Sequence, residues 1–327
     1  MNAAGEATAV SLMTEPAACE LCKSSAGALP EASGWDFEYG TSRAEFRIVR
    51  CGGCGLMYLA DRPVFEAMSL IYPPNYYSFD ESCRQSRLVK VIRDRLESRK
   101  VAAYLGLLDG VNRSVLDVGC GDGRLLDILK ARCSPLWTLM GIEIGKAAAV
   151  KAGEKGFSII HGDFETYDSA ALAGRFDLVL MHQVLEHTRS PREVIRKVGR
   201  LLKPGGLFSI ETPDTESWDQ RLFGRRYWGG YHIPRHFYLF NKVTLRRLLE
   251  EEGFEVLSCR SILSPVFWVH SVHNYLIEHR ALSWLAPYAH YQNPLLLAIA
   301  TLIDLVQTGL FYRSSNMQIL SRRKAMA

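Results

Sequence analysis

The sequence lacks the features that are typical of nucleic-acid-binding, secreted, membrane-spanning and repeat proteins. Its net charge is only +4 over 327 residues, and so small an excess does not by itself indicate a nucleic-acid partner. Residues 1–10 contain no basic segment followed by a long apolar core, so we expect no signal peptide. No uninterrupted apolar run reaches the roughly 20 residues of a membrane span, and no segment is repeated along the chain. A globular protein is therefore expected.

Cysteine is also scarce, and its spacing is mostly that of unpaired residues. The eight cysteines stand at positions 19, 22, 51, 54, 83, 120, 133 and 259, a distribution that indicates a reducing compartment rather than a disulfide framework. In contrast, 48% of the residues are hydrophobic, which is enough for a large core. We expect a cytoplasmic protein with one catalytic domain and a small additional domain.

Glycine is concentrated in one informative segment, residues 115–123, which read V-L-D-V-G-C-G-D-G. The apolar residues predict a buried parallel strand. The alternating glycines allow a tight turn against which a ligand can lie without meeting a Cβ atom. With a helix expected from Arg124, this order predicts half of a Rossmann-like βαβ unit. A dinucleotide fingerprint would require glycine where Arg124 stands.

The acid before the first glycine, Asp117, changes the expected ligand. The pattern D-x-G-x-G-x-G resembles the first motif of the class I S-adenosylmethionine-dependent methyltransferases. This resemblance implies that the glycine loop curves under the amino-acid end of the cofactor, and that Asp117 helps to position its ammonium group. Glu143 ends the next apolar run, 20 residues after Gly123, where a carboxylate can accept both ribose hydroxyls.

Later segments follow the order of the same family. Residues 161–164 (HGDF) resemble the motif whose acid, here Asp163, approaches the adenine amino group. Residues 176–187 resemble the fourth strand with its xxVLEH turn, and residues 201–206 resemble the LLKPGG turn before the fifth strand. The resemblance implies S-adenosylmethionine as cofactor, with its binding residues at Asp117, Gly119, Cys120, Gly121, Gly123, Glu143, Ile144, Asp163, Phe164, His182 and Gln183.

The resemblance also implies the fold class and the domain organisation. We expect an α/β protein with a Rossmann-like, doubly wound, seven-stranded sheet in residues 110–327, interrupted by a helical insertion at about 264–314. Residues 1–62 would form a zinc-knuckle domain. Residues 63–109 would form an aromatic lid or linker followed by a basic helix.

Two C-x-x-C units support the zinc-knuckle prediction. Two thiolates spaced by two residues in a tight turn can occupy adjacent corners of a tetrahedron, and two such turns complete a zinc site. We therefore predict that a structural zinc ion is bound by Cys19, Cys22, Cys51 and Cys54. Disulfides or a catalytic metal are the alternatives, although four thiolates leave no ligand position for a substrate. An antiparallel hairpin is expected to fill the long gap between the two units, and strands at 46–50 and 56–59 would flank the second unit.

The linker contains two distinctive segments. Residues 70–77 (LIYPPNYY) predict a non-helical stretch, which is either an ordinary linker or a lid whose tyrosines close over the cofactor or acceptor. Residues 84–100 predict an amphipathic helix with a basic outer face. That face would meet solvent, an anionic acceptor such as a nucleotide-sugar, or a phospholipid surface.

Histidines supply the candidate catalytic groups. Residues 228–240 (WGGYHIPRHFYLF) resemble a W-x-x-x-x-x-P-R-H-x-x-x-F segment of zinc-knuckle methyltransferases associated with surface polysaccharides. Related sugar C-methyltransferases have Y-H-E-H-x-x-Y-F here, and their proposed base matches His236. We predict His236, His182 and Tyr231 as catalytic residues and His187 as a helix cap. Arg235 replaces the glutamate of those relatives, which argues against a carbon acid, and it could bind an acceptor phosphate or carboxylate.

The C-terminal third predicts a helix over 243–252, a sixth strand over 253–257 and a last strand over 317–321. Within the insertion, Leu296, Ile299, Ile303, Val306 and Leu310 form an apolar stripe opposite Thr301, Asp304 and Thr308. We expect this stripe to pack over the core or in a homodimer interface. Docking on a membrane surface is the alternative, because an interfacial helix needs only one apolar face.

The sequence thus favours a methyltransferase for a small-molecule or lipid-linked acceptor, preferably a sugar of a surface glycan or natural product. A ribosomal or transfer RNA methyltransferase is an alternative, and it would require a continuous basic surface. A non-catalytic zinc scaffold with the same fold is a second alternative. Peripheral contact with the inner face of the membrane is compatible with the expected cytoplasmic location.

Overall fold

The computed structural model describes residues 12–24, 27–73, 87–108 and 110–324, with the side chains of 87–93 and 96 left aside. Its strands are β1 (Thr14–Pro16), β2 (Ala28–Gly34), β3 (Phe46–Cys51), β4 (Met57–Leu59), β5 (Asp61–Pro63), β6 (Ser114–Val118), β7 (Thr138–Glu143), β8 (Ser158–His161), β9 (Phe176–His182), β10 (Leu202–Pro213), β11 (Tyr238–Leu239), β12 (Phe254–Ile262) and β13 (Asn316–Arg323). Its helices are α1 (Met68–Ile71), α2 (Arg87–Leu105), α3 (Arg124–Lys130), α4 (Lys146–Glu154), α5 (Pro191–Leu201), α6 (Trp218–Phe223), α7 (Lys242–Glu251), α8 (Pro265–Glu278) and α9 (Pro294–Phe311).

The central sheet has seven strands in the order β12-β13-β10-β9-β6-β7-β8. The five strands from β10 to β8 are parallel, and β13 runs antiparallel to both of its neighbours. The apolar sequence of β9 is buried from Phe176 to Met181, as expected for a parallel strand covered on both faces. The predicted doubly wound, seven-stranded methyltransferase fold is confirmed.

Helices α5 and α7 each pack on this sheet through one apolar face. Helix α5 begins with Pro191, whose missing N–H needs no partner in the first turn. Its buried residues include Val194, Ile195 and Val198. Helix α7 begins with a capping box, in which Asn241 and Thr244 satisfy each other's backbone N–H groups.

The knuckle domain contains a four-stranded sheet in the order β11-β4-β3-β2. Strands β2, β3 and β4 pair antiparallel, which confirms the predicted hairpin. The fourth strand, β11, lies much later in the sequence than the other three. Its residues Tyr238 and Leu239 pair with Tyr58 and Met57 of β4. The segment that carries the predicted catalytic residues Tyr231 and His236 therefore continues directly into the knuckle sheet.

The linker differs from the prediction at two points. Residues Met68–Ile71 form one helical turn, which ends before Pro73, so the start of the 70–77 segment is helical. Tyr76 and Tyr77 lie outside the described residues. Helix α2 continues to Leu105, and Lys100 does not belong to a solvated outer face, because its side chain binds Glu97 and Glu211.

The apolar stripe of helix α9 does not pack over the core of the chain, which was one of the expected arrangements, and the dimer-interface and membrane-surface arrangements stay predictions. Asp304 and Gln307 are fully buried, and Asp304 accepts hydrogen bonds from the Ser264 backbone, Gln307 and Ser314. These buried hydrogen bonds turn the polar residues inward. The opposite, apolar face is consequently exposed, at Leu295, Ile299, Leu302, Leu305, Val306 and Leu310. By length and composition alone, α9 is also apolar enough to cross a membrane, although no uninterrupted apolar run reaches that length.

Candidate functional site

The glycine loop lies at the carboxyl end of β6 and packs against the turn that follows β9. Gly119 has φ +74°, a conformation that favours glycine. A Cβ atom on Gly119 would lie 2.4 Å from Val184 Cγ2. Gly123 has φ +82° and immediately precedes α3. The loop can therefore adopt this conformation and pack this closely only because these positions lack side chains.

Two acids stand beside this loop, as predicted. Glu143 accepts hydrogen bonds from the N–H groups of Gly121 at 2.8 Å and Gly145 at 2.7 Å. Burial raises the pKa of Glu143, although these N–H groups oppose the shift. Burial and the nearby Glu143 raise the pKa of Asp117 to about 8. Asp117 thus holds a proton at neutral pH until a cation is placed beside it.

The other predicted cofactor residues also lie at the carboxyl ends of the parallel strands, or just after them. Ile144 is exposed, Phe164 is buried, and Cys120 is buried against Gly141. Asp163 begins the turn after β8, where it accepts the N–H of Glu165. Gln183 has φ +56° and donates to Asn316. Because these strand ends share one edge of the sheet, the residues line one crevice. Their contacts with a cofactor stay predictions.

His182 belongs to a buried polar network at the same edge. Its Nε2 lies 3.3 Å from Ser209 Oγ and its Nδ1 lies 3.8 Å from Glu211. Lys100 donates to both carboxylate oxygens of Glu211. Burial lowers the pKa of His182, so the ring is neutral near pH 7. This network fixes His182 in place, and its predicted catalytic role stays a prediction.

A second polar group, which we call the Glu–His cluster, consists of Glu186, His187 and His236. The rings of His187 and His236 lie 4.6 Å apart, and Nε2 of His236 lies 4.0 Å from Glu186 Oε1. Burial and the neighbouring histidines hold the pKa of His236 well below its usual range. Burial also raises the pKa of Glu186 to about 8. His236, the predicted base, is thus uncharged and lies next to the turn that touches the glycine loop.

His187 does not cap a helix, in contrast to the prediction. It ends the short 3-10 turn Leu185–His187, and its Nδ1 lies 3.0 Å from the hydroxyl of Tyr72 and 3.2 Å from the carbonyl oxygen of Arg235. Tyr72 is the only described tyrosine of the 70–77 segment. Its contact places the linker against the Glu–His cluster.

The knuckle domain contributes two carboxylates to this region. Asp36 forms a fully buried bidentate ion pair with Arg235, with N–O distances of 2.8 and 3.1 Å. The expectation that Arg235 could bind an acceptor phosphate is therefore wrong, because the guanidinium group of Arg235 is already paired with the carboxylate of Asp36. Glu38 contacts His232 at 2.8 Å and His270 at 3.3 Å. Burial alone would raise the pKa of Glu38, but these histidines hold it well below its usual range.

A pocket lies where the knuckle domain, the 228–236 segment and α8 meet. It is lined by aromatic rings and by hydrogen-bonding side chains, among them Trp35, Phe37, Trp228, Glu38, His232 and Asn274. His232 connects this pocket to the Glu–His cluster, since its ring lies 4.9 Å from that of His236. Tyr231 also lines the pocket, but its buried hydroxyl donates to the Gly224 carbonyl. Its catalytic role stays a prediction.

The four predicted metal ligands come together in the knuckle domain. The sulfur atoms of Cys19, Cys22, Cys51 and Cys54 all lie within 4.8 Å of one another. All four cysteines are free, so the disulfide alternative is not supported. Each C-x-x-C turn directs a backbone N–H at its first cysteine's carbonyl, from Lys23 and from Gly55. Four convergent thiols are compatible with a tetrahedral zinc ion.

Comparison with known proteins agrees with this geometry. A family model described as a methyltransferase domain matches residues 82–259, more than half of the chain. The chain belongs to this methyltransferase family. S-adenosylmethionine is the cofactor of the family, and the glycine loop with Asp117 and Glu143 fits it.

Relatives of this methyltransferase include small-molecule enzymes by name. The ubiquinone biosynthesis O-methyltransferase of Serratia proteamaculans is 35% identical over 121 residues, covering 36% of this chain and 50% of the relative. The protein of the same name from Escherichia coli O127:H6 is 34% identical over 119 residues, covering 35% and 50%. The chain thus spans about half the length of these curated relatives.

A solved S-adenosylmethionine-dependent methyltransferase from Archaeoglobus fulgidus is 19% identical and has a TM-score of 0.48, covering 76% of this chain and 99% of that one. Because this score is below 0.5, the fold assignment depends on the strand order described above.

Four residues of the candidate site were not predicted from the sequence. Glu186 stands in the VLEH segment and could have been found there, since an acid next to a histidine is a recognisable signal. Asp36, Glu38 and His270 carry no local signal. They reach the site only through docking of the knuckle domain and α8.

Proposed function

We propose that this methyltransferase transfers a methyl group to a hydroxyl of a small-molecule or lipid-linked acceptor, preferably a sugar. The observation that carries this proposal is the pocket beside the Glu–His cluster. Its lining combines flat aromatic rings with a carboxylate, an imidazole and an amide. Such a lining suits an acceptor that presents both C–H faces and hydroxyl groups. The space open there is only about 10 Å³, roughly that of one water molecule, so the surrounding side chains would have to move to admit the acceptor.

The chemistry follows from the position of the glycine loop. When bound, S-adenosylmethionine supplies the methyl group from its sulfonium, and the electron pair of the broken C–S bond stays on sulfur. Asp117 and Glu143 would hold the two ends of this cofactor, and the pocket would hold the acceptor oxygen in line with the methyl carbon. The new O–C bond forms as the hydroxyl proton leaves. In the proposal, the Glu–His cluster is the polar group that lies closest to the departing proton.

Helix α9 supports a lipid-linked acceptor and a peripheral location on a membrane. Its exposed face is apolar at Leu295, Leu302 and Leu310, and Tyr288 and Tyr312 are exposed near its two ends. Leucines flanked by exposed aromatic rings are typical of a helix that lies in a membrane interface. In the proposal, this face lies on the cytoplasmic surface of the membrane. A homodimer through the same face is the competing arrangement.

The knuckle domain completes the proposal as a structural zinc module. Zinc bound by Cys19, Cys22, Cys51 and Cys54 would be closed to substrate, because four thiolates fill its coordination. Its contribution to activity would be indirect. The zinc would stabilise the sheet that pairs with Tyr238 and Leu239 and that presents Asp36 and Glu38 to the site.

The experiment is incubation of the protein with methyl-labelled S-adenosylmethionine and a fractionated extract of the host. Label is expected in the sugar-nucleotide or lipid fraction. The Gly119→Ala variant serves as the control for label that is not enzymatic. Label confined to RNA would reject this proposal and favour a ribosomal or transfer RNA methyltransferase. Absence of both label and cofactor binding would leave the non-catalytic scaffold.

A further inference from the structure

The Glu–His cluster has the composition of a metal site outside the cysteine knuckle. Glu186, His187 and His236 each offer one ligand atom, and these atoms all lie within 4.8 Å of one another. Glu186 is fully buried and His236 is 3% exposed. Two imidazoles with one carboxylate form a donor set that binds divalent transition metals.

In both imidazole rings, the nitrogen that would point away from the metal already contacts a backbone carbonyl oxygen. Metal-ligating histidines commonly show this arrangement. Nδ1 of His236 lies 2.8 Å from the carbonyl oxygen of Gly230. Nδ1 of His187 lies 3.2 Å from the carbonyl oxygen of Arg235. A carbonyl oxygen can only accept, so Nδ1 of His236 carries the proton and its Nε2 is left with a free lone pair. Nδ1 of His187 also lies 3.0 Å from the hydroxyl of Tyr72. When this Nδ1 carries the proton, the Tyr72 hydroxyl and the Arg235 carbonyl both accept from it, and Nε2 of His187 has a free lone pair as well. Histidine ligands typically donate their second nitrogen to a carbonyl in this manner.

The carboxylate side of the cluster has an unsatisfied acceptor. Oε2 of Glu186 accepts a hydrogen bond from Thr212. Oε1 is buried and has no hydrogen-bond partner among the residues that the structure describes. It faces Nε2 of His236 at 4.0 Å, too far for a hydrogen bond. A buried acceptor without a donor is destabilising, and a cation between these atoms would satisfy it.

A neighbouring cluster provides an internal comparison. Glu97, His182 and Glu211 also bring three ligand atoms within 4.8 Å of one another. There, the ammonium group of Lys100 lies 2.8 Å from each of the two carboxylates. Lys100 thus supplies in that cluster the positive charge that a metal ion would otherwise provide. For the Glu–His cluster, no lysine or arginine ion pair is found within the described part of the chain.

We propose that Glu186, His187 and His236 bind a divalent transition-metal ion whose open coordination positions take the acceptor hydroxyl. This inference rests on the proposed function for the identity of the acceptor, but not for the presence of the metal. A bound cation makes a hydroxyl more acidic, so that water can take its proton while the O–CH3 bond forms and the S–CH3 bond breaks. His236 would then be a metal ligand, and the prediction that it is the base would be replaced.

The test measures metal content and metal binding directly. Zinc-replete protein is equilibrated with Mn2+ or Co2+ and desalted, and the metal-to-chain ratio is determined. Two metal ions per chain are expected for the unaltered protein, with one in the cysteine site. The Glu186→Gln and His236→Ala variants are expected to retain one. His273→Gln is the matched control, because His273 is another largely buried histidine whose Nδ1 contacts a carbonyl, and it should retain two.

Folding of each variant is checked by circular dichroism and by calorimetric binding of S-adenosylmethionine. A ratio of one in the unaltered protein, or an unchanged ratio of two in folded Glu186→Gln and His236→Ala variants, would overturn the metal site. If a second metal binds but a chelator that removes it does not slow methyl transfer, the catalytic role of the metal is overturned. A second metal without label in any extract fraction would keep the metal site and reject the proposed acceptor.

Discussion

Asp36 of the knuckle domain and Arg235 of the histidine-bearing segment form a bidentate ion pair in which both side chains are fully buried. The two residues are 199 positions apart in the sequence. Arg235 also donates to the carbonyl of Ile71 in the linker. This one guanidinium therefore joins three segments beside the pocket, and it holds the backbone between His232 and His236.

Replacing Asp36 with asparagine should destabilise the protein strongly. The substitution keeps the shape of the side chain but leaves the Arg235 guanidinium buried without a counter-charge, which typically costs about 3–5 kcal/mol of unfolding free energy. Urea denaturation in the presence of zinc measures the effect. Asp61→Asn is the control, because its partner Arg47 is 68% exposed, and a loss below about 1 kcal/mol is expected there. Equal losses in the two variants would contradict the structural role of Asp36.

Gly119→Ala should weaken cofactor binding while the fold is retained. The added Cβ would lie 2.4 Å from Val184 Cγ2, and the residue would have to keep φ +74°, which is strained for alanine. The loop must therefore shift, and the affinity for S-adenosylmethionine should fall by at least about tenfold, the factor that corresponds to 1.4 kcal/mol. Calorimetry measures the affinity. Gly162→Ala is the control, since its Cβ would meet nothing within 4 Å, and unchanged binding by Gly119→Ala would show that the loop does not contact the cofactor.

Much of the fold was predictable because its signals are local. Strands β6, β9 and β10 are apolar runs bounded by glycine turns, which buried parallel strands require. The expectation that the apolar stripe of α9 packs over the core was wrong for a physical reason. Asp304 looks like part of a solvent-exposed face in the sequence, but Ser264, Gln307 and Ser314 supply buried hydrogen-bond partners for it.

The same distinction between local sequence signals and contacts of residues distant in sequence applies to the candidate site. The glycine loop, Glu143 and His236 belong to contiguous motifs, and the structure places them at one edge of the sheet. Glu38 and Asp36 could not be assigned, because their partners lie far away in the sequence and their contacts arise only when the domains dock. Arg235 was misassigned for this reason, since an arginine's partner cannot be read from its neighbours.

The apolar face of α9 should bind phospholipid vesicles. Leu295 and Leu302 are 71% and 63% exposed. Burial of a leucine side chain in the membrane contributes roughly 1.5–3 kcal/mol to binding, and replacement by glutamine would remove much of this free energy at each position. The double variant should therefore float with phosphatidylcholine–phosphatidylglycerol vesicles at least about tenfold less than the unaltered protein. Leu136→Gln, at a site 64% exposed on a loop before β7, is the control. A concentration-dependent dimer without vesicles, lost in the double variant, would assign the face to a homodimer instead.

Cofactor binding should release a proton from Asp117. Its pKa is raised to about 8 by burial and by Glu143, so the free protein holds the proton at pH 7, whereas the ammonium group of the cofactor favours the carboxylate. The affinity should consequently rise as the pH rises, by up to roughly tenfold between pH 6 and 7, and level off above pH 8. Calorimetry in two buffers of different ionisation enthalpy should give nearly one proton released per cofactor bound at pH 7. Asp117→Asn should bind more weakly and release none. Proton release that persists in this variant would assign it to another group and leave Asp117 without the predicted contact to the ammonium.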